Sequence, residues 1–232
     1  MTFSRTSSYR MIDYITEKVQ HTTRFFKFGP VNVEEIEPVN SNVNLQAIFK
    51  AVEDNFPSHY FVDLKAVKIG NFVDLQNKDF SALYDDGIFY INNKQDDSQG
   101  ILNDVVHEFA HHLERIYTDF IYGDDSIVHE FLKKRQELNF ELRSEGYWTD
   151  DYDFDNLKYD EKFDNFLYKR VGRNMLRMVT SGIFIRPYGS VSLREYFATG
   201  FEAYYLGQKE TLEKISPRLY DKIEELHHSV KI

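Results

Sequence analysis

The segment His107-Glu108-Phe109-Ala110-His111 sets two imidazoles four residues apart with a carboxylate beside the first. On a helix, at about 100° per residue, the two histidines stand about 40° apart and one turn apart, so both reach one ion while Glu108 flanks it. Zinc used for catalysis takes three protein ligands and leaves a fourth position open for water. The ion acidifies that water and a neighbouring carboxylate removes its proton, which is the chemistry of hydrolysis. A third ligand must come from elsewhere, and residues 193–202 offer Glu195 and Glu202. In helical register these two share a face with Thr199, opposite Phe197, Phe201, Tyr204 and Tyr205. They lie about 10.5 Å apart along the axis, too far to bind the same ion. Geometry leaves the choice between them open.

The elements that must position these groups follow from periodicity. Around the motif, Leu102, Val105, Val106, Phe109, Ala110 and Leu113 occupy the arc from about 160° to 300°, so the helix is amphipathic with the ligands on its polar stripe. Helices are expected at about 99–117, 125–145, 159–181, 192–207 and 216–228. The front of the chain reads differently. Residues 23–40 are extended and broken at Gly29-Pro30, residues 44–56 form a helix ended by Pro57, and strands are expected over 60–69 and 82–92, the latter turning about Asp85-Asp86-Gly87. Strands first and helices after is the order of an α+β fold, a small mixed sheet followed by a mostly helical C-terminal half. The chain shows no repeat, low-complexity tract or linker, so 1–232 reads as a single domain, with a mixed part over about 1–95 and a helical part over about 96–232 that carries the metal site.

Composition removes competing chemistries. The 232 residues carry 38 acidic and 28 basic side chains, a net charge of −10, and no cysteine. Acidic balance spread along the chain argues against nucleic acid or an anionic membrane as a partner, because both demand clustered Lys and Arg. Without cysteine there is no thiolate zinc cluster, no cysteine nucleophile and no zinc deaminase, whose signature contains C-x-x-C. The start, Met-Thr-Phe-Ser-Arg-Thr-Ser-Ser-Tyr-Arg, lacks the apolar centre of a Sec signal, and no apolar run approaches 18 residues. A cytoplasmic or particle-associated setting is therefore expected.

The pairing of His107-Glu108-x-x-His111 with Tyr188-Gly189 and then Glu195-Tyr196-Phe197-Ala198-x-x-Phe201 resembles the catalytic domain of anthrax lethal factor and its small relatives, the Pro-Pro endopeptidases. The resemblance covers the motif helix and roughly residues 186–228. It implies a zincin-like metalloprotease of the gluzincin type holding one Zn2+, with Glu195 rather than Glu202 as third ligand and Tyr188 as the group that stabilises the transition state. It departs from the family pattern in three places. Thr199 stands where a second glutamate is usual, His112 stands where a small residue is usual, and the stretch 112–186 is long.

On this reading the chain is a zinc-dependent endopeptidase acting on a protein or peptide substrate. Glu108 is the general base, Tyr188 donates to the oxyanion, and the substrate lies extended along Gly87–Asn92 as an edge strand. The alternative is a zincin-fold structural or assembly component with little turnover, such as a phage-particle protein or a toxin-like effector that binds a host protein. Other residues are read as structural. His129-Glu130 begins a second motif but has Lys133 in place of the second histidine, so it is an exposed face. His112 sits at the rim, and His227-His228 is a frayed end. The run 150–155 is a solvated loop, since Asn156 and Lys162 break the calcium-loop pattern.

Overall fold

The computed structural model describes residues 23–73, 75 and 81–229. The N-terminal stretch examined for a Sec signal lies outside the described residues. Contacts divide the chain into two compact units, Met1–Glu53 with Leu64–Leu102 and Asp54–Asp63 with Asn103–Ile232.

The first unit is built on a five-stranded mixed sheet. Strands β1 (Arg24–Phe28) and β2 (Val31–Glu35) form a hairpin whose last pair is Phe28 with Val31, closed through Gly29 at φ 53°. A residue with positive φ suits the tight turn, because its twist matches that of the strands. Helix α1 (Leu45–Asn55) follows, capped by Asn44 Oδ1, which accepts from the amide of Ala47 at 3.0 Å. Its buried face of Leu45, Ile48, Phe49 and Val52 is the one expected from spacing, and Phe49 packs on Phe26 and Phe28. The chain then returns in strand β3 (Ala66–Gly70), parallel to β2. The hairpin of β4 (Ala82–Asp85) and β5 (Ile88–Asn92) turns on Asp86 at φ 42° and Gly87 at φ 83°. The order is β1-β2-β3-β5-β4.

Two expectations about these strands are corrected. Gly87–Asn92 is no edge, because β5 pairs with β3 on one side and β4 on the other, which leaves β4 at the border. Residues 60–69 are not one strand: Ser58–Phe61 is a 3-10 turn, Asp63 takes φ 61°, and only Ala66–Gly70 pairs.

The second unit is helical. Its elements are α2 (Ser98–Ile116, counted here from Asn103), α3 (Thr118–Tyr122), α4 (Ser126–Ser144), α5 (Glu161–Asn165), α6 (Arg173–Val179), α7 (Leu193–Tyr205), α8 (Lys209–Ile215) and α9 (Pro217–His228). The apolar arc of α2 packs as read from Val105 to Leu113, whereas Leu102 is half-buried and Ile101 takes the buried place at that end. Phe56 bridges Phe109, Phe201 and Tyr205, so Asp54–Asp63 is a wedge in this core. The helix expected over 159–181 is broken. Phe166–Gly172 is a π-helical stretch, and Gly172 leaves the helical region at φ 85° before α6 begins.

Candidate metal centre

Helix α2 presents His107 and His111 one turn apart, and Ser192 caps α7 by accepting from the amide of Glu195 at 3.2 Å. That cap fixes the first turn of α7, where Glu195 sits. The His107 and His111 Nε2 atoms lie 3.0 Å apart, Glu195 Oε2 is 3.2 Å from the first and Glu195 Oε1 is 3.6 Å from the second. All three residues offer ligand atoms within 4.8 Å of one another, so they could hold a metal ion. Glu195 Oε2 and Glu108 Oε2 are buried with no hydrogen-bond partner among the described residues. A buried Glu108 oxygen without a partner, and a Glu195 carboxylate facing two imidazole nitrogens, are what a cation would satisfy.

The surroundings set the charges. Burial opposes a proton on His107, yet the carboxylates of Glu195 and Glu202 outweigh it and carry the ring up to about 10. Burial holds His111 well below its usual value, helped by His107. Glu108, 4% exposed, is pushed up to about 7 by burial, with His107 pulling the other way. Glu195 stays below the usual carboxylate range because His107 and His111 outweigh its burial.

A carboxylate stands behind His107 and a guanidinium behind His111. The Nδ1 of His107 lies 2.7 Å from Glu202 Oε1, and Arg186 holds the other oxygen of Glu202. Glu202 lies outside the group of three and faces Nδ1 of His107, a contact of the kind that fixes a ring's tautomer and orientation. On His111, Arg194 Nε donates to Nδ1 at 3.0 Å, and Glu114 Oε2 lies 3.8 Å from that nitrogen and 3.3 Å from Arg194. Thr199 does not reach the cluster of His107, His111 and Glu195 through a hydrogen bond to their side chains. Its hydroxyl donates back to the carbonyl of Glu195 at 2.8 Å. Arg186, Glu114 and Arg194 escaped the sequence reading, since none repeats a recognisable spacing. Glu202 carried a signal in sharing the face of Glu195.

Tyr188 sits in the 3-10 turn Pro187–Ser190, with its ring 6.3 Å from that of Tyr168 on the π-helical stretch. Burial first, then the charge of Glu195, pushes its phenol upward, so it stays protonated through the neutral range. Its hydroxyl has no hydrogen-bond partner among the described residues. The turn packs tightly: a Cβ on Gly189 would stand 2.6 Å from Thr199 Oγ1. Thr199 is thus the seat of the turn that carries Tyr188.

Three structural readings are corrected. His112 is not at the rim but fully buried, its Nε2 2.9 Å from the carbonyl of Val62. At about 140° from His107 it borders the apolar arc, and that carbonyl satisfies it there. Glu130 is no idle face: it accepts from Tyr196 at 2.7 Å and from the first amides of α9, those of Arg218 and Leu219, at 2.9 and 3.1 Å. His227 does not fray, because its Nδ1 is hydrogen-bonded with the Tyr205 hydroxyl at 2.7 Å. The acidic run is the solvated loop expected, with Asp150, Asp151, Asp153 and Asp155 exposed, and it is anchored by buried Phe154, by Gln136 donating to Asp155 and by Arg135 donating to the Asp153 carbonyl. No helix among the described residues is long and apolar enough to cross a membrane. Comparison of the chain with protein-family models, with curated proteins and with solved structures finds no match.

Proposed function

We propose that this chain is a zinc-dependent endopeptidase of zincin type, similar to the lethal factor catalytic domain in the segments around His107 and Glu195. The observation that carries the reading is the convergence of two Nε2 atoms and one carboxylate at 3.0–3.6 Å beside a buried, unpartnered glutamate. A tetrahedral zinc with bonds of about 2.0–2.1 Å spaces its ligands about 3.3 Å apart, which matches. Two nitrogens and one oxygen also suit zinc better than magnesium or calcium, which prefer oxygen alone.

When bound, zinc supplies a Lewis acid and brings water into the range where it loses a proton near neutral pH. Glu108, buried beside the two imidazoles, would take that proton on its carboxylate. Tyr188, held protonated, donates a hydrogen bond to the oxyanion that develops on the peptide carbonyl. Glu202 and Arg186 keep the His107 ring turned toward Glu195.

The test is zinc content by elemental analysis, followed by cleavage of a random-sequence peptide mixture read by mass spectrometry. Wild type should carry near one zinc per chain, lost in both His111→Ala and Glu195→Ala, whereas Glu108→Gln keeps the zinc and loses cleavage. Wild-type protein that takes up no zinc, or a Glu108→Gln variant that cleaves as well as wild type, overturns the proposal.

A further inference from the structure

Helix α4 buries two adjacent cations, Lys134 and Arg135, and neither forms an ion pair among the described residues. An unpaired buried charge is costly, so what these two touch is informative. Lys134 Nζ donates to the carbonyls of Ile183 and Ile215, both at 2.6 Å. Arg135, 1% exposed, donates through one terminal nitrogen to the carbonyls of Ser190 at 2.7 Å and Val191 at 3.4 Å, and through the other to that of Asp153 at 2.9 Å. Its guanidinium lies 4.0 Å from the centre of the Phe163 ring, and only its Nε is left without a partner. Burial lowers it to about 10, so it remains charged at neutral pH.

The carbonyls that Arg135 holds are not scattered. Ser190 closes the 3-10 turn carrying Tyr188, and Val191 precedes Ser192, the cap that sets the first turn of α7 and with it Glu195. We infer that Arg135 is a positioning residue, which fixes the Tyr188 turn and the start of α7 by gripping their shared carbonyls. This rests on the peptidase reading only for its kinetic consequence. Lysine cannot replace it: one ammonium cannot span Ser190 and Asp153 as a planar fork does. Lys134 is the internal control, a cation of similar burial that grips the chain five residues before Tyr188.

The test places 3-fluorotyrosine at position 188, or at Tyr220 as reference, and follows the fluorine resonance. Arg135→Lys should shift and broaden the signal at 188 and leave that at 220 in place, with Arg135→Gln as second variant should the first fold poorly. Lys134→Met should change the signal at 188 less. An unmoved signal at 188, or an equal change from Lys134→Met, overturns the inference. The kinetic arm uses a peptide that wild type cleaves from the random mixture. Arg135→Lys should lower kcat by about 10- to 100-fold with KM unchanged, and cost less in a Tyr188→Phe background, where only its hold on the start of α7 is left to lose. Equal losses in both backgrounds would mean that Arg135 does not act through Tyr188 and overturn the inference. Wild type that cleaves nothing sinks the peptidase reading alone, and the fluorine signal still decides for or against Arg135.

Discussion

Gly200 lies in the middle of α7, and a Cβ there would stand 2.2 Å from Leu219 Cδ2 and 2.9 Å from Leu219 Cγ on α9. Because Cγ is also too close, rotating the end of the leucine gives no relief, and Leu219 is 1% exposed and boxed in. Alanine in place of glycine favours a helix interior by about 1 kcal/mol, while forcing a methyl into a packed contact costs about 1–3 kcal/mol. At 2.2 Å the cost falls at the upper end, so Gly200→Ala should destabilise by about 2 kcal/mol. Leu219→Ala alone should cost about 3 kcal/mol through the void it leaves. In the double variant the clash is gone and alanine keeps its helix gain of about 1 kcal/mol, so the total should fall to about 2 kcal/mol instead of reaching about 5 kcal/mol. Urea unfolding followed by far-ultraviolet circular dichroism measures all three. A Gly200→Ala variant as stable as wild type, or strict additivity in the pair, would refute the packing of α7 on α9 described above.

Glu202→Gln should weaken zinc binding about 10- to 100-fold in chelator competition, because the carboxylate behind His107 is lost; an unchanged affinity would deny it that role. Gly189→Ala should lower the melting temperature in the wild type and barely do so in a Thr199→Ala background, where the 2.6 Å clash is absent; equal losses in both would contradict it. His112 gives a pH dependence. Burial holds its ring at about 4, below the ordinary 6.5, so the fold favours the neutral form. That stabilisation is complete above 6.5 and is lost as pH falls toward 4, about 3 kcal/mol at about 1.4 kcal/mol per pH unit. In protein kept metal-free with a chelator, His112→Gln should flatten the stability slope between pH 6.5 and 4, and an identical slope would show that another group sets it.

The sequence made legible what local periodicity and turn chemistry control. The α1 face, the Asp86-Gly87 hairpin and the convergence of His107, His111 and Glu195 all follow from spacings of two to four residues joined by one resemblance. What it hid is non-local. Strand order is set by pairing partners distant in sequence, so β5 reads like an edge and lies inside. His112 reads as a surface histidine until the Val62 carbonyl comes to meet it. Arg135 and Lys134 carry no mark in the sequence, because the carbonyls that justify their burial lie 18 to 81 residues away. Gly172 carries no mark that separates its φ of 85° from a glycine tolerated within a helix.

The ten residues Asp54–Asp63 belong with the helical unit although both their flanks belong with the sheet. Neither unit is therefore a continuous stretch of chain, and neither can be moved between genes as a cassette. A cut at Asn103 yields a helical piece stripped of Phe56, of Tyr60 and of the carbonyl that neutral His112 requires, with Phe109 and Phe201 left bare. Recombination, in nature or at the bench, must carry the two units together or rebuild the wedge, and a functional screen of fragments should recover none that begins after residue 63.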